Sequence, residues 1–189
     1  KYSIWRSDLS KTEVIDENKF IEYTKEGYEV VHLGFTAKLS SSSQNAVLAA
    51  GELEGVFPVD TKSLCTGMAL LVIKACEMRD AGLPAKEIAE QIALLREKVH
   101  TTFILNTLDY LSRGGRCSAV TAFGANLLSI KPSIEMVDGA LEVGKKYRGK
   151  IETVYGQYIR DQLSDPDKLD LSRAFLSHSG GGISEETLQ

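Results

Sequence analysis

The chain has 189 residues, 22 Lys and Arg against 26 Asp and Glu, a net charge of −4, and 43% hydrophobic residues. These values suit a globular protein with a real core, in one large domain or two small ones, and a net acidic chain is a poor general binder of nucleic acid. Cys65, Cys76 and Cys117 stand far apart with no CxxC pair, no apolar run is long enough to cross a bilayer and no signal peptide opens the chain, so the expected location is the reducing cytoplasm.

In chain order, residues 16–25 read as an amphipathic helix with Ile15, Phe20 and Tyr23 on one face, ended by Gly27. "YEVVHLGF" alternates and is β-branched, which predicts a strand. "TAKLSSSS" is a hydroxyl-rich turn and "QNAVLAAGEL" a helix, so half a βαβ unit is written in order. "GVFPVD" is a second, short strand in which Pro58 suits an edge or a bend. "TKSLCTG" is its exit loop, and "GMALLVIKACEMRDAG" and "PAKEIAEQIALLREKV" are two further helices divided by Gly82 and Pro84.

The pattern changes near His100. "HTTFIL" reads as a strand and "NTLDYLSRG" as a short helix with Asn106 or Thr107 at its N-cap. "AVTAFGANLL" reads as a helix. "IKPSIEMVDGALEV" is a hairpin signal, with Asp138-Gly139 suited to a type I′ turn. "KKYRGK" is a basic cluster, residues 151–163 a helix, "SRAFLSHS" a strand, and "GGG" a loop before a last helical fragment. The expected division is a parallel α/β domain over 1–98 and an α+β domain over 99–189.

Few residues are placed for chemistry. Thr36 and Ser40 to Ser43 lie between a strand's C-terminal end and a helix, the edge at which open α/β sheets bind ligands. Hydroxyls and free N–H groups there make an anion cradle for phosphate or carboxylate; the same residues equally suit a plain loop with a Ser N-cap. No serine lies in G-x-S-x-G, no G-x-G-x-x-G or P-loop is present, and no His/Cys/Asp set has metal-ligand spacing. His32 reads as packed and His100 as exposed, while His178 before three glycines has the better functional position. Arg113, Arg116, Lys131, Lys145, Lys146, Arg148 and Lys150 concentrate positive charge in the second half. They read as a solvated face or as an anion-facing one. Arg116 and Arg148 each adjoin glycine, and arginine suits fixed bidentate recognition of carboxylate or phosphate.

Taken together, these stretches resemble the DegV family of bacterial fatty-acid-binding proteins, which includes the carrier subunits of fatty acid kinase. "TLDYLSRGGRCS" resembles the family's "tleyLkkGGRis", and "GANLLSIKPSIEMVDGALEVGKKYRGK" its "g.lLniKPil...dG.l....kvRgk". "FTAKLSSSSQNAVLAA" is similar to "iSs.LSGTyqsA..aa", and "VFPVDTKSLCTGMALLV" to "v.viDSk..s.g.g.lv". Order, spacing and the rare pieces GGR, IKP, DG and RGK agree from about Thr12 onward.

The resemblance implies a two-domain α/β architecture with one long-chain fatty acid in a tunnel between the domains. It implies no catalytic residue, no cofactor and no metal. The carboxylate would be held by hydroxyls matching Thr12, Thr36, Ser40 and Ser42. Arg116 of GGR and Arg148 of RGK match the arginines that face a partner or a phosphoryl group. The implied partners are the fatty acid and an ATP-dependent fatty acid kinase subunit, with room for transient membrane contact and none for nucleic acid. Residues 13–16 depart from the family's TSQPS-like stretch, Ala37 stands where the second Ser of a pair is found, and Ser41 replaces a Gly. An early strand with Asp-Ser/Thr and a late "TH.GPG" stretch have no match, so both domains are expected to be partial, and His178 does not inherit the role of the late His. The alternative is a small serine hydrolase or phosphotransferase using Ser40 or Ser42.

Overall fold

The structure is a computed structural model, and it describes residues 15–117, 130–170 and 172–178. The chain divides into two units, Lys1–Val99 and His100–Gln189.

In the first unit, β1 (Val30–Gly34) and β2 (Val56–Asp60) pair in parallel, Val30 opposite Val56 through Gly34 opposite Asp60. Parallel strands need a crossover, and α2 (Ser42–Ala50) supplies it. Alternation along the strands sends Val31, Leu33, Phe57 and Val59 to one face. There they meet Leu71 and Met78 of α3 (Cys65–Asp80) and Ile88, Ala89 and Ile92 of α4 (Ala85–Leu95). Val30 and Val56 face the other way, onto Phe20 of α1 (Ile15–Lys25) and Ala46 and Ala50 of α2. With both faces covered, the strands can be largely apolar, as "VVHLG" and "VFPVD" are, with His32 meeting the Phe20 ring edge to face. α3 begins at Cys65, two residues before the expected glycine. It closes where the N–H groups of Gly82 and Leu83 reach the carbonyls of Arg79 (2.9 Å) and Met78 (3.1 Å).

The second unit is an antiparallel sheet in the order β3 (Thr102–Ile104), β4 (Ile130–Val137), β5 (Ala140–Arg148). β4 and β5 form the expected hairpin. Asp138 (φ 46°) and Gly139 (φ 81°) both take positive φ in a two-residue type I′ loop. Pro132 lies in a central strand, which needs explaining. The β3 pairing stops at Ser133, and the β4–β5 register shifts between Pro132 and Ile134, so Pro132 sits past the end of β3 and beside a bulge. α6 (Ile151–Gln162) packs Val154 and Tyr158 against Ile104 and Tyr147, the two tyrosine rings meeting edge to face at 6.1 Å.

Two expectations differ from the structure. Residues 172–178 form no strand: they are exposed, with Phe175 and Leu176 consecutive rather than alternating. Leu108, not Asn106 or Thr107, occupies the N-cap position of α5 (Asp109–Gly114), although the Thr107 hydroxyl accepts the Asp109 N–H at 3.3 Å. The helix expected within residues 119–128 and the fragment after "GGG" lie outside the described residues. Among the described residues, no helix is long and apolar enough to cross a membrane.

Candidate functional site

Two loops leave the carboxyl ends of β1 and β2 side by side, residues 35–41 toward α2 and residues 61–64 toward α3. In a parallel α/β sheet this edge collects helix N-termini and loop N–H groups, and ligands bind there. Both loops are rich in hydroxyls: Thr36, Ser40 and Ser41 on the first, with Ser42 and Ser43 opening α2 behind it, and Thr61 and Ser63 on the second.

The loops are bonded to each other. The Thr36 N–H donates to the Ser63 carbonyl (3.2 Å). The Thr61 hydroxyl (2.7 Å) and N–H (3.1 Å) both donate to the Gly34 carbonyl. Asp60, the last residue of β2, accepts at Oδ1 from the N–H groups of Ala37 (3.3 Å) and Lys62 (2.9 Å). Thr36, Thr61 and Ser63 are buried, as such a lattice of paired polar groups allows. Close approach is built in at Gly34, where an added Cβ would lie 2.7 Å from Ser43 Oγ.

Thr36, Ser40 and Ser42 come together. The Thr36 carbonyl accepts the Leu39 (3.1 Å) and Ser40 (3.3 Å) N–H groups, forming the tight turn that carries the serines back toward α2. Ser40 Oγ lies 3.1 Å from Ser42 Oγ and accepts the Ser42 N–H at 3.2 Å. Whichever serine donates, this two-hydroxyl chain leaves one O–H with no acceptor among the described residues. Ser40 and Ser42 are half-buried, which leaves that donor within reach of a ligand. Thr12 lies outside the described residues.

Arg116 and Arg148 are exposed and occupy different ends of the second unit. α5 ends with Gly115 in the left-handed region (φ 67°), a conformation that costs a side-chain-bearing residue and that Gly adopts freely. Arg116 follows, its Nη1 donating back to the Gly114 carbonyl at 2.6 Å. The next residue, Cys117, is buried with its thiol 3.4 Å from the Leu141 carbonyl, beside the hairpin turn. Arg148 ends β5, opposite Ile130. Leu141 and Arg148 are seven residues apart on one strand, roughly 20 Å at the usual strand rise. Of the other basic residues, Lys145 pairs with Asp161 (2.8 Å) and Lys131 donates to the Asn106 carbonyl (2.5 Å). Arg113 is exposed on α5.

The sequence reading passed over Asp60, Thr61, Ser63 and Arg96. By local pattern Asp60 ends a strand and "TKSLCTG" is its exit loop, and the family likeness of "VFPVDTKSLCTGMALLV" assigned these residues no role. The available signal was two hydroxyls directly after a strand-ending aspartate. Arg96, whose Nη1 donates to the Asp60 carbonyl at 2.6 Å, carried no local signal, because its partner is 36 residues away. No group of three or more His, Cys, Asp or Glu side chains could hold a metal ion among the described residues.

A parallel strand pair with hydroxyl-bearing loops at its carboxyl edge, followed by an antiparallel unit, defines a two-unit α/β protein. A family model described as "Uncharacterised protein, DegV family" matches residues 5–183, and the chain belongs to the DegV family. A DegV domain-containing protein of Clostridium acetobutylicum is 32% identical over 156 residues, covering 80% of this chain and 56% of its own length. A fatty-acid-binding DegV family protein from Thermus thermophilus has a TM-score of 0.67 and 28% identity, covering 81% of this chain and 53% of that one. A stearic-acid-binding protein from Eubacterium ventriosum has a TM-score of 0.69 and 25% identity, with coverage of 81% and 55%. The chain thus spans little more than half the length of these relatives.

Proposed function

We propose that this chain binds a long-chain fatty acid as a carrier and presents it to a partner kinase, with no catalytic residue, cofactor or metal of its own. The observation that carries the reading is the hydroxyl set of Thr36, Ser40 and Ser42 at the carboxyl edge of two parallel strands, in a family whose Thermus and Eubacterium members bind fatty acids. The solvent-accessible Ser40–Ser42 pair donates an O–H to the carboxylate, Thr36 sets the turn that presents it, and Thr12 adds a further hydroxyl. A hydrogen bond to a charged group contributes about 1.5–3 kcal/mol, whereas each buried methylene contributes about 0.8 kcal/mol. Tail burial therefore dominates affinity, and the hydroxyls fix orientation. Arg116 and Arg148 face the kinase or the phosphoryl group, from two separate places on the second unit. The site lies in the cytoplasm, where an ATP-dependent kinase works, and transient membrane contact delivers the lipid.

The test is lipid extraction of the intact protein with mass spectrometry, together with thermal melts in oleate or palmitate. A ligand at one hundred times its Kd raises stability by about 2.7 kcal/mol. No co-purifying fatty acid and no melting shift would sink the reading. Ser40→Ala combined with Ser42→Ala is expected to weaken palmitate binding about tenfold or more. Unchanged affinity would remove the serines from the site.

A further inference from the structure

The hydroxyl loops are held from behind. The short 3-10 turn Arg96–Lys98 continues α4 and places two charged side chains against the β2–α3 loop. Arg96 Nη1 donates to the Asp60 carbonyl at 2.6 Å, and its Nε lies 3.1 Å from Glu97 Oε1. Glu97 Oε1 in turn lies 2.9 Å from Lys62 Nζ. Asp60 and Lys62 are thereby gripped at main chain and side chain respectively. Between them Asp60 Oδ1 binds the Ala37 and Lys62 N–H groups, one in each site loop.

The loop needs holding. Lys62 (φ 50°) within it and Cys65 (φ 45°) at its junction with α3 both take positive φ, where a residue with a side chain is disfavoured. Strained backbone persists only where its surroundings determine it, and the Arg96–Glu97 pair supplies that determination from outside the loop. Arg96 is about three-quarters buried, so its hydrogen bond to the carbonyl is sheltered from water. An exposed ion pair by itself contributes little. Here the charged groups also hold Asp60, whose Oδ1 makes one hydrogen bond to each side of the site.

We infer that Arg96, acting through Asp60, is a positioning residue that sets the register of the 35–41 loop against the 61–64 loop, and so aims the Ser40 and Ser42 hydroxyls, carried on the Thr36 turn, at a carboxylate. This rests on the fatty-acid reading of that site. Arg96 touches no ligand; its effect passes from the Asp60 carbonyl to the carboxylate of the same residue, and from there to Ala37 and Lys62.

The experiment compares palmitate with hexadecanol, which shares the tail and lacks the carboxylate, on the intact protein. Arg96→Met is expected to weaken palmitate at least fivefold and hexadecanol less than twofold, and Arg96→Lys, which keeps one donor, to recover most of the loss. Equal losses for both ligands, or no loss for palmitate, would overturn the inference. Hydrogen exchange supplies an arm that needs no ligand. The amides of Ala37, Lys62 and Ser63 should exchange at least tenfold faster in Arg96→Met while β4–β5 amides are unchanged; unaltered rates would also overturn it. Should Arg96→Met not fold, Glu97→Gln is read in the same two ways, with a twofold to fivefold loss for palmitate alone expected. A wild-type protein that binds neither ligand overturns the fatty-acid reading, and the exchange arm still decides whether Arg96 orders the loops.

Discussion

Gly34 and Asp161 illustrate how single residues are constrained in the two units. Gly34 closes β1 directly under Ser43, so Gly34→Ala forces Ser43 or the strand to move. Overpacking of this kind costs about 1–3 kcal/mol, and urea denaturation should register that loss with an unchanged m-value. Asp161 is held below the usual carboxylate range, first by the Lys145 ammonium 2.8 Å away and then by the nearby Tyr147 hydroxyl. A lowered folded value means that the stabilisation is fully present above about pH 4 and is lost as pH falls through the folded value. Lys145→Ala should therefore raise the Asp161 titration midpoint in a carbon-detected NMR titration and flatten the acid limb of stability. A midpoint that stays low would assign the effect to Tyr147 instead. Glycine's role at position 34 was invisible in the sequence, since Ser43 lies nine residues away and only the fold brings it underneath.

At the scale of elements, local signals were strong wherever one stretch contained its own partners. The β4–β5 hairpin was legible because its turn residues sit between two apolar runs, and Asp138-Gly139 adopts the backbone that this pair favours. Gly139→Ala puts a Cβ into the left-handed region, at a cost of about 1–2 kcal/mol; a melting temperature equal to wild type would mean that the turn relaxes to another type. The crossover from β1 through α2 to β2 was legible for the same reason. Residues 172–178 form no strand because one aromatic beside a leucine, with no β-branched residue and no alternation, does not make one, and these residues have no ladder to join among the described ones. Pro132 in a central strand runs against local rules, and only the bulge beside it explains how the sheet accommodates it.

For the whole molecule, the two arginines carry the sharpest prediction. Arg116 follows α5 beside the hairpin turn, and Arg148 stands at the far end of β5. Groups so far apart with no shared partner act independently. Arg116→Glu and Arg148→Glu should each weaken kinase-dependent phosphorylation of bound fatty acid, and the double variant should show the sum within about 0.5 kcal/mol. Strong non-additivity would mean that one phosphate or one partner residue meets both. Fatty-acid binding should survive either change, and its loss would make the arginines structural. By itself the sequence determined the α/β class, the hairpin, the family likeness and the hydroxyl-rich turn, because each depends on residues within a few positions of one another. Only the tertiary structure decided that Asp60, Thr61 and Ser63 join Thr36, Ser40 and Ser42 in one lattice, that Arg96 braces it, and that the two arginines stand apart. Those facts depend on parallel pairing across an intervening helix and on strand length, which bring together or separate residues that no local spacing relates.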